Sequence, residues 1–398
     1  MGNLFSRREI QQEIREALQN NNQTLAFAKI QEYLEKEKKI PLNIAVTGES
    51  GSGKSTFVNA LREIQNSDEG AAPAGSVETT KKVTLYPHPN YPNVTLWDLP
   101  GIGTTSYPAA KYLKYVGFEK FDFFIIISAD RFRENDVKLA QEIQRMKKKF
   151  YFVCSKIDNN IRDEERSQRE FSAERTLTQI RDNCLQGLQA AGVQSPQVFL
   201  VSSFELHLYD FPLLEETLER ELPEHKRDAL LLAMPNISLD MINKKKQAFH
   251  SQIKYFALLS AGVAAVPVPG LSIGVDVVLL VGLVTRYVLV FGLDITSLKR
   301  LPNKTGVPFK YLMKVIISPL AAKKITPDLV LKVVAQCSSI VVLMAAEERS
   351  RFILILGIPA AMGLFFVTTY RCLSTVLDMV ADDARMVFKR ALGLNPAE

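Results

Sequence analysis

A mostly parallel α/β domain joined to an all-helical one is the fold this chain predicts, and three observations carry that reading. From 41 to about 222, short apolar strand-like runs alternate with helical ones, the pattern of a parallel sheet covered on both faces. Past 222 the alternation stops. Long helix-compatible stretches follow, with Pro235, Pro302, Pro308, Pro319 and Pro327 marking boundaries. Ahead of the sheet, 10–39 is polar and helix-prone, and Asn20-Asn21-Asn22 breaks it into two short helices. The expected division is therefore an amino-terminal tail and helices at 1–40, an α/β domain at 41–222, and a helical domain at 223–398.

The first strand, 42–46, runs into Gly48-Glu49-Ser50-Gly51-Ser52-Gly53-Lys54-Ser55, and a helix opens at Lys54 and takes in Thr56. This is the phosphate-loop pattern GxxxxGK[ST] between a strand and a helix. Its glycines let successive N–H groups converge on one anion, and the helix start adds free amides and a positive dipole end. Lys54 is placed to reach the β and γ phosphates, and the Ser55 hydroxyl to ligate Mg²⁺. The segment 66–80, rich in Gly, Ala, Ser and acids, suits a loop that orders over a bound triphosphate. Either Thr79 or Thr80 could ligand the metal there. Thr80 is favoured, because it stands just before the strand at 83–86.

The next strand, 94–97, ends in Asp98-Leu99-Pro100-Gly101. Asp98 can hold magnesium through water, and Gly101 can offer its N–H to a γ phosphate. A helix is expected at 132–148, and Lys147-Lys148-Lys149 would complement its dipole. The strand at 150–154 leads into Ser155-Lys156-Ile157-Asp158. There Asp158 can accept from the N1–H and amine of guanine, a donor pair adenine lacks, while the Lys156 stem covers the base. Guanine sites more often carry Asn or Thr where this chain has Ser155. After a helix at 173–191, the strand at 198–201 ends in Ser202-Ser203, which fits the loop over the base. GTP and GDP with Mg²⁺ are the expected ligands. Ile102 stands where small signalling GTPases carry a water-orienting glutamine, so hydrolysis is expected to be weak in the monomer. The lone Trp97 is expected to pack beneath the switch region.

Composition narrows the class further. The chain has 398 residues, 47% hydrophobic and 23% charged, which excludes a disordered chain and a multi-span membrane protein. A net charge of +6 is modest and spread out, and no RNP-like or zinc-finger spacing appears, so nucleic acid is not an expected partner. Cys154, Cys184, Cys337 and Cys372 lie far apart, and no cleavable signal sequence is evident at the start. They read as reduced thiols in a cytosolic setting. The uncharged stretches 255–275 and 352–370 leave three readings open: burial in the helical domain, a shallow hairpin insertion, or spans. Asp276 and Arg286 would be costly in lipid unless paired or near its surface. Met1-Gly2-Asn3-Leu4-Phe5-Ser6 matches the myristoylation pattern at Gly2. A single acyl chain binds weakly, so Arg7-Arg8, the apolar segments or oligomerisation would have to assist it.

The chain resembles the interferon-inducible immunity-related GTPases, the p47 family of dynamin-like defence proteins, over nearly its whole length. The resemblance rests on Gly48 to Ser55, on Val77-Glu78-Thr79-Thr80, on Trp97-Asp98-Leu99-Pro100-Gly101-Ile102-Gly103, and on the runs 121–128 and 294–301. Lys54, where a divergent subgroup has methionine, places it with the effector-like branch. The resemblance implies a Ras-like G domain on a helical domain made from both chain ends. It also implies GTP-driven self-assembly with related GTPases and on intracellular membranes (endoplasmic reticulum, Golgi or vacuole), with hydrolysis activated across a G-domain dimer. Glu78 matches the switch glutamate implicated in that activation. Two rival readings stay open: a nucleotide-gated regulator of related GTPases with little hydrolysis, and a membrane scaffold that GTP merely stabilises.

Overall fold

The computed structural model describes residues 7–20, 22–75, 82–101, 115–129, 133–265, 272–341 and 360–394. Gly2, Glu78, Thr79, Thr80, Ile102, residues 266–271 and the first part of 352–370 lie outside the described residues, as does the Asp276 side chain. The chain divides into two compact units, Pro41–Ile237 and the pair Met1–Ile40 with Ser238–Glu398.

Among the described residues of the first unit, six strands form one sheet in the order β2-β3-β1-β4-β5-β6. They are β1 (Leu42–Gly48), β2 (Thr84–His88), β3 (Tyr91–Asp98), β4 (Phe123–Ala129), β5 (Phe150–Ser155) and β6 (Val198–Leu200). Every pairing is parallel except β2 with β3. Parallel strands buried on both faces read as continuous apolar runs, and β4 is buried at all seven positions. Strand order reverses beside β1, because its neighbours are β3 and β4. The crevice outside the carboxyl ends of the strands at such a point is where an open α/β sheet binds ligands.

The α-helices among the described residues of this unit are α3 (Lys54–Leu61), α4 (Glu134–Arg145), α5 (Ile157–Ser167), α6 (Ala173–Ala190), α7 (Phe211–Glu221) and α8 (Glu224–Ala233). One core gathers Phe121, Phe124 and Phe152 with Leu139, Ile143 and Leu188 from α4 and α6. Helix α8 explains why the unit ends at 237 rather than at the expected 222: it packs on β1 and β3. A polar clasp binds it there. Asp122 accepts from the Asn43 N–H (2.8 Å) through one carboxylate oxygen and from Lys226 on α8 through the other. Asn43 also accepts from Trp97 Nε1 (2.9 Å), and the indole stacks edge-on to Phe121. Trp97 is thus fastened to the entry of β1 and the Phe121 edge of the core, while the switch segments it was expected to underlie fall outside the described residues.

The lysine cluster at the end of α4 has specific partners beyond a helix dipole. Helix α4 ends at Arg145, and Lys147 turns left-handed (φ 57°). Lys148 then donates to the Glu119 and Phe121 carbonyls, and Lys149 pairs with Glu221 at 3.1 Å. These cations lock loops together. The segment after α3 is also partly fixed rather than wholly adaptable. Asn59 exchanges hydrogen bonds with both backbone groups of Ala72, and Arg62 donates to the Gly70 and Pro87 carbonyls.

The second unit is helical in its described residues: α1 (Arg7–Gln19), α2 (Gln23–Lys39), α9 (Leu239–Ala265), α10 (Ser272–Val290), α11 (Ile295–Thr305), α12 (Phe309–Met313), α13 (Pro327–Val341) and α14 (Ala360–Ala391). Asn22 caps α2 by accepting from the Leu25 N–H, which is why the asparagine run separates two helices. The chain ends meet through α2 and α9, where Tyr33 packs on Tyr255 and Gln252 donates to Glu37. Long α9 pairs with α14, fastened by Lys246–Asp378 at 2.6 Å and by Arg385 on Asn243.

Of the expected apolar stretches, Tyr255, Phe256, Ala257, Leu258 and Leu259 are buried within the helical unit. Val277–Thr305 is long and apolar enough to cross a membrane, with mean hydropathy 2.0, yet 39% of its most apolar window is buried against the protein. The Arg286 guanidinium lies 5.5 Å over the Phe249 ring.

The Asp122 clasp yields a stability prediction. Asp122→Ala leaves the Asn43 amide and the Lys226 ammonium without their acceptor and should cost about 1–3 kcal/mol. Urea unfolding of the full chain checks it, and an unchanged midpoint would count against the clasp.

Candidate functional site

The sheet delivers the phosphate loop, Asp98 and the Ser155–Asp158 turn to one edge, because β1, β3 and β5 run parallel and end there. Gly48 closes β1 at φ 138°. A Cβ on it would stand 2.0 Å from the Ile127 carbonyl oxygen of the neighbouring strand, so the loop leaves the sheet where only glycine fits. The loop then wraps its own lysine. Lys54 is buried, and its Nζ donates to the Glu49 carbonyl at 2.7 Å, which aims the ammonium along the loop at the start of α3. Ser50 and Gly51 are exposed on the loop, Ser52 is buried, and Thr56 is half-buried one residue into the helix beyond Ser55.

Ser55 Oγ donates to Asp98 Oδ2 at 2.6 Å, and Asp98 is fully buried at the end of β3. An alcohol and a carboxylate juxtaposed beside an anion-binding loop are hard oxygen donors of the kind Mg²⁺ takes together with phosphate oxygens. The residues present fit that ion. Gly101 lies against the loop from the other side: a Cβ there would stand 2.9 Å from the Ser50 nitrogen. Its backbone can therefore approach the same space that the loop amides line.

The base side is equally organised. Ser155 Oγ donates to the Ser52 carbonyl at 2.6 Å, with the Ser128 carbonyl at 3.2 Å. The hydroxyl thus bridges the phosphate loop and the end of β4, a role for which serine suffices where Asn or Thr was the commoner expectation. Lys156 takes a left-handed conformation (φ 60°), and its Nζ reaches back to the Gly51 carbonyl at 2.9 Å. The lysine stem is therefore drawn across the space between the two loops. Asp158 begins α5 with its side chain largely buried and Arg162 3.8 Å away. The Ile157 N–H donates to the Val201 carbonyl, which brings the Ser202-Ser203 loop alongside. Ser202 is fully buried, and its hydroxyl accepts from the Phe204 N–H, so it shapes the turn.

Sequence reasoning did not anticipate the polar cluster behind the phosphate loop. The Glu49 side chain turns out of the loop and is held by Arg133 Nη1 (2.6 Å) and Asn135 Nδ2 (2.9 Å) at the start of α4. Next to it, buried Asp136 accepts from Ser128 Oγ at 2.7 Å and from the Arg133 N–H. Burial lifts the Asp136 carboxyl to about 6; the Glu49 charge pushes the same way, while Ser128 and Arg133 oppose it. The available signal was Arg133-Glu134-Asn135-Asp136 at a helix start, where an acid three residues in commonly caps the first turn.

The site residues can be compared with known proteins. The family model described as interferon-inducible GTPase matches residues 7–391. The chain is 42% identical to the rat protein named Interferon-inducible GTPase 5 over 381 residues, 95% of this chain and 82% of that one. It is 38% identical to mouse Interferon-gamma-inducible GTPase 10 over 90% of this chain and 83% of that one. Mouse Interferon-inducible GTPase 1 is 36% identical, with 94% and 88% covered. Solved structures are more distant. Toc33 from Arabidopsis thaliana in complex with Mg²⁺ and GMPPNP aligns at TM-score 0.33 and 16% identity, covering 44% of this chain and 77% of that one. Era in complex with MgGDPNP and ribosomal RNA aligns at TM-score 0.33 and 17% identity, covering 55% and 66%.

Two predictions come from this geometry. Gly101→Ala forces a methyl against the Ser50 amide and should weaken fluorescent-GTP binding at least about tenfold, or 1.4 kcal/mol; titration at equilibrium decides. Asp136 keeps its proton to about pH 6 when folded and to 3.8 otherwise, so it favours the fold below about pH 4 and that help fades as pH rises through 6. Stability should fall by about 3 kcal/mol across that window, and Asp136→Asn should flatten the profile in urea melts.

Proposed function

The chain belongs to the interferon-inducible GTPase family, which makes it a GTP-hydrolysing enzyme of interferon-induced immunity, and from that premise we propose a self-assembling GTPase that acts at intracellular membranes and is switched by its nucleotide. The observation that carries the reading is the convergence of the Gly48–Ser55 loop, the Ser55–Asp98 pair and the Ser155–Asp158 turn at one sheet edge. Gly48, Glu49, Ser50, Gly51, Ser52, Gly53 and Thr56 line or support the phosphate cradle. Lys54 neutralises the β and γ phosphates. Asp158 and Lys156 recognise guanine, and Ser202 and Ser203 close the base loop.

Ser55 and Asp98, with Thr80 from the loop beyond the described residues, would hold Mg²⁺, which supplies charge neutralisation to the transferring phosphoryl group. The protein's own part is positioning. The loop amides and Lys54 fix the triphosphate, and the Gly101 N–H meets the γ phosphate. Arg133 and Asn135 hold the Glu49 side chain and so tie the cradle to the start of α4. Ile102 offers no hydrogen bond to an attacking water, so turnover waits on a second molecule, with Glu78 as the switch residue through which pairing acts. Assembly also multiplies weak membrane anchors, Gly2 acylation among them, and hydrolysis releases them.

A nucleotide-gated regulator of related GTPases is the second reading, favoured specifically by Ile102. Multiple-turnover phosphate release separates the two. A GTPase activated by self-pairing gains specific activity as protein concentration rises; a flat, near-zero profile selects the regulator. Lys54→Ala should reduce nucleotide affinity by at least about a hundredfold, the loss of a charge-assisted phosphate contact in a buried site. Undiminished binding would sink the assignment.

A further inference from the structure

Between Asp294 and Asp328 the chain carries seven lysines and arginines and no acidic residue. Three cations of the helical unit gather on one ring there: Lys310, Lys314 and, from α14, Arg390 lie 5.2, 5.4 and 6.0 Å from the centroid of Tyr311, itself 38% exposed. Like charges collected around one aromatic ring repel one another, and an anionic counterpart relieves that.

One turn further along, Ile317 is 86% exposed, the most exposed large apolar side chain among the described residues. Looseness does not explain it. Buried Asp383 accepts from the Ile317 N–H (2.7 Å) and the Ser318 N–H (3.0 Å). Leu320 and Ala321 are buried immediately after, and the Ala322 N–H is tied to the Leu293 carbonyl at 2.8 Å. A buried carboxylate thus holds the backbone so that an isoleucine stands out into solvent.

We propose that Tyr311, Lys310, Lys314, Arg390 and Ile317 form a docking surface for an anionic lipid leaflet; the inference rests on the membrane part of the function proposed above and gives it an address in the chain. Ile317 enters the acyl boundary as a fixed wedge. Tyr311 sits at headgroup level, where tyrosine is enriched. The lysines and the arginine lay their apolar stems along the surface and hold their charges at the phosphates. An exposed isoleucine three residues beyond Lys314 suits a surface that yields around it, and the absence of acids over the whole 295–326 stretch matches a uniformly negative one.

The test is co-sedimentation of the full, non-acylated chain, loaded with a non-hydrolysable GTP analogue, with phosphatidylcholine vesicles and with mixed phosphatidylcholine–phosphatidylserine vesicles. The wild-type chain should pellet with the mixed vesicles only, and high salt should release it. Lys310→Glu with Lys314→Glu should lower that affinity at least about tenfold. Ile317→Asp should lower it as well, and both variants should keep the wild-type urea-unfolding transition of the full chain, which reports an intact helical unit. Variants that pellet like wild type would overturn this surface and leave the membrane reading standing. A wild-type chain that pellets with neither vesicle would remove both. Tight binding of polyglutamate without any vesicle binding would reassign the surface to an acidic protein and overturn the proposal.

Discussion

One hydroxyl organises the nucleotide edge. Ser155 Oγ donates to the Ser52 carbonyl in the phosphate loop and lies within reach of the Ser128 carbonyl at the end of β4, so the loop after β1 and the ends of β4 and β5 share one junction. Lys156 adds a second tie, to Gly51, from the residue next along. Because β1, β4 and β5 are neighbours in register, these ties are short and need no long side chain to span them. The phosphate cradle and the base recess are therefore one object: a shift of either moves the other.

The part of this arrangement that could be read in the sequence follows from chemistry with few substitutes. A phosphate loop needs glycine at the strand exit, a lysine and a hydroxyl, and Gly48, Lys54 and Ser55 stand at the required spacing. Asp98 and Asp158 each end or follow an apolar run, so their places at the sheet edge could be inferred before the strand order was known. Polar contacts between distant, ordinary-looking residues could not. Glu49 meets Arg133 and Asn135 across more than eighty positions, and nothing about a glutamate in a glycine-rich turn or an arginine before a helix says they touch. Asn59 likewise looked like a helix residue, yet it holds Ala72 by both backbone groups and so fixes the start of a segment that composition described as wholly adaptable. The Lys147-Lys148-Lys149 cluster is structural, as its place after a helix suggested, but its partners could not be read for a related reason. A helix dipole attracts cations weakly, whereas two backbone carbonyls and a carboxylate within reach bind them more firmly.

In the helical unit, hydrophobicity misleads if taken by itself. The same apolar composition that allows a membrane span also builds the α9, α10 and α14 core, where Phe249 meets Tyr287 at 4.7 Å and Lys245 is wholly buried, its ammonium on the Val290 carbonyl. A fully buried lysine and an arginine stacked on an aromatic ring are arrangements of a protein interior, where each cation has a specific neighbour. At Ile317 the unit departs from that logic: an apolar side chain is displayed while the aspartate that holds its backbone is hidden.

The helical unit is assembled from both ends of the chain, with Glu37 of α2 joined to Gln252 of α9 over a separation of 215 residues. Its topology has a consequence for biosynthesis. Everything the nucleotide-binding unit needs has left the ribosome by about Ile237, so that unit can close and take up its ligand while translation continues. Helices α1 and α2 emerge first and must wait longest. Tyr33 and Glu37 of α2 have no α9 to meet until most of the polypeptide has been made. The nascent chain is thus competent for nucleotide before it is complete, and its earliest segment is the one that most needs shielding during synthesis.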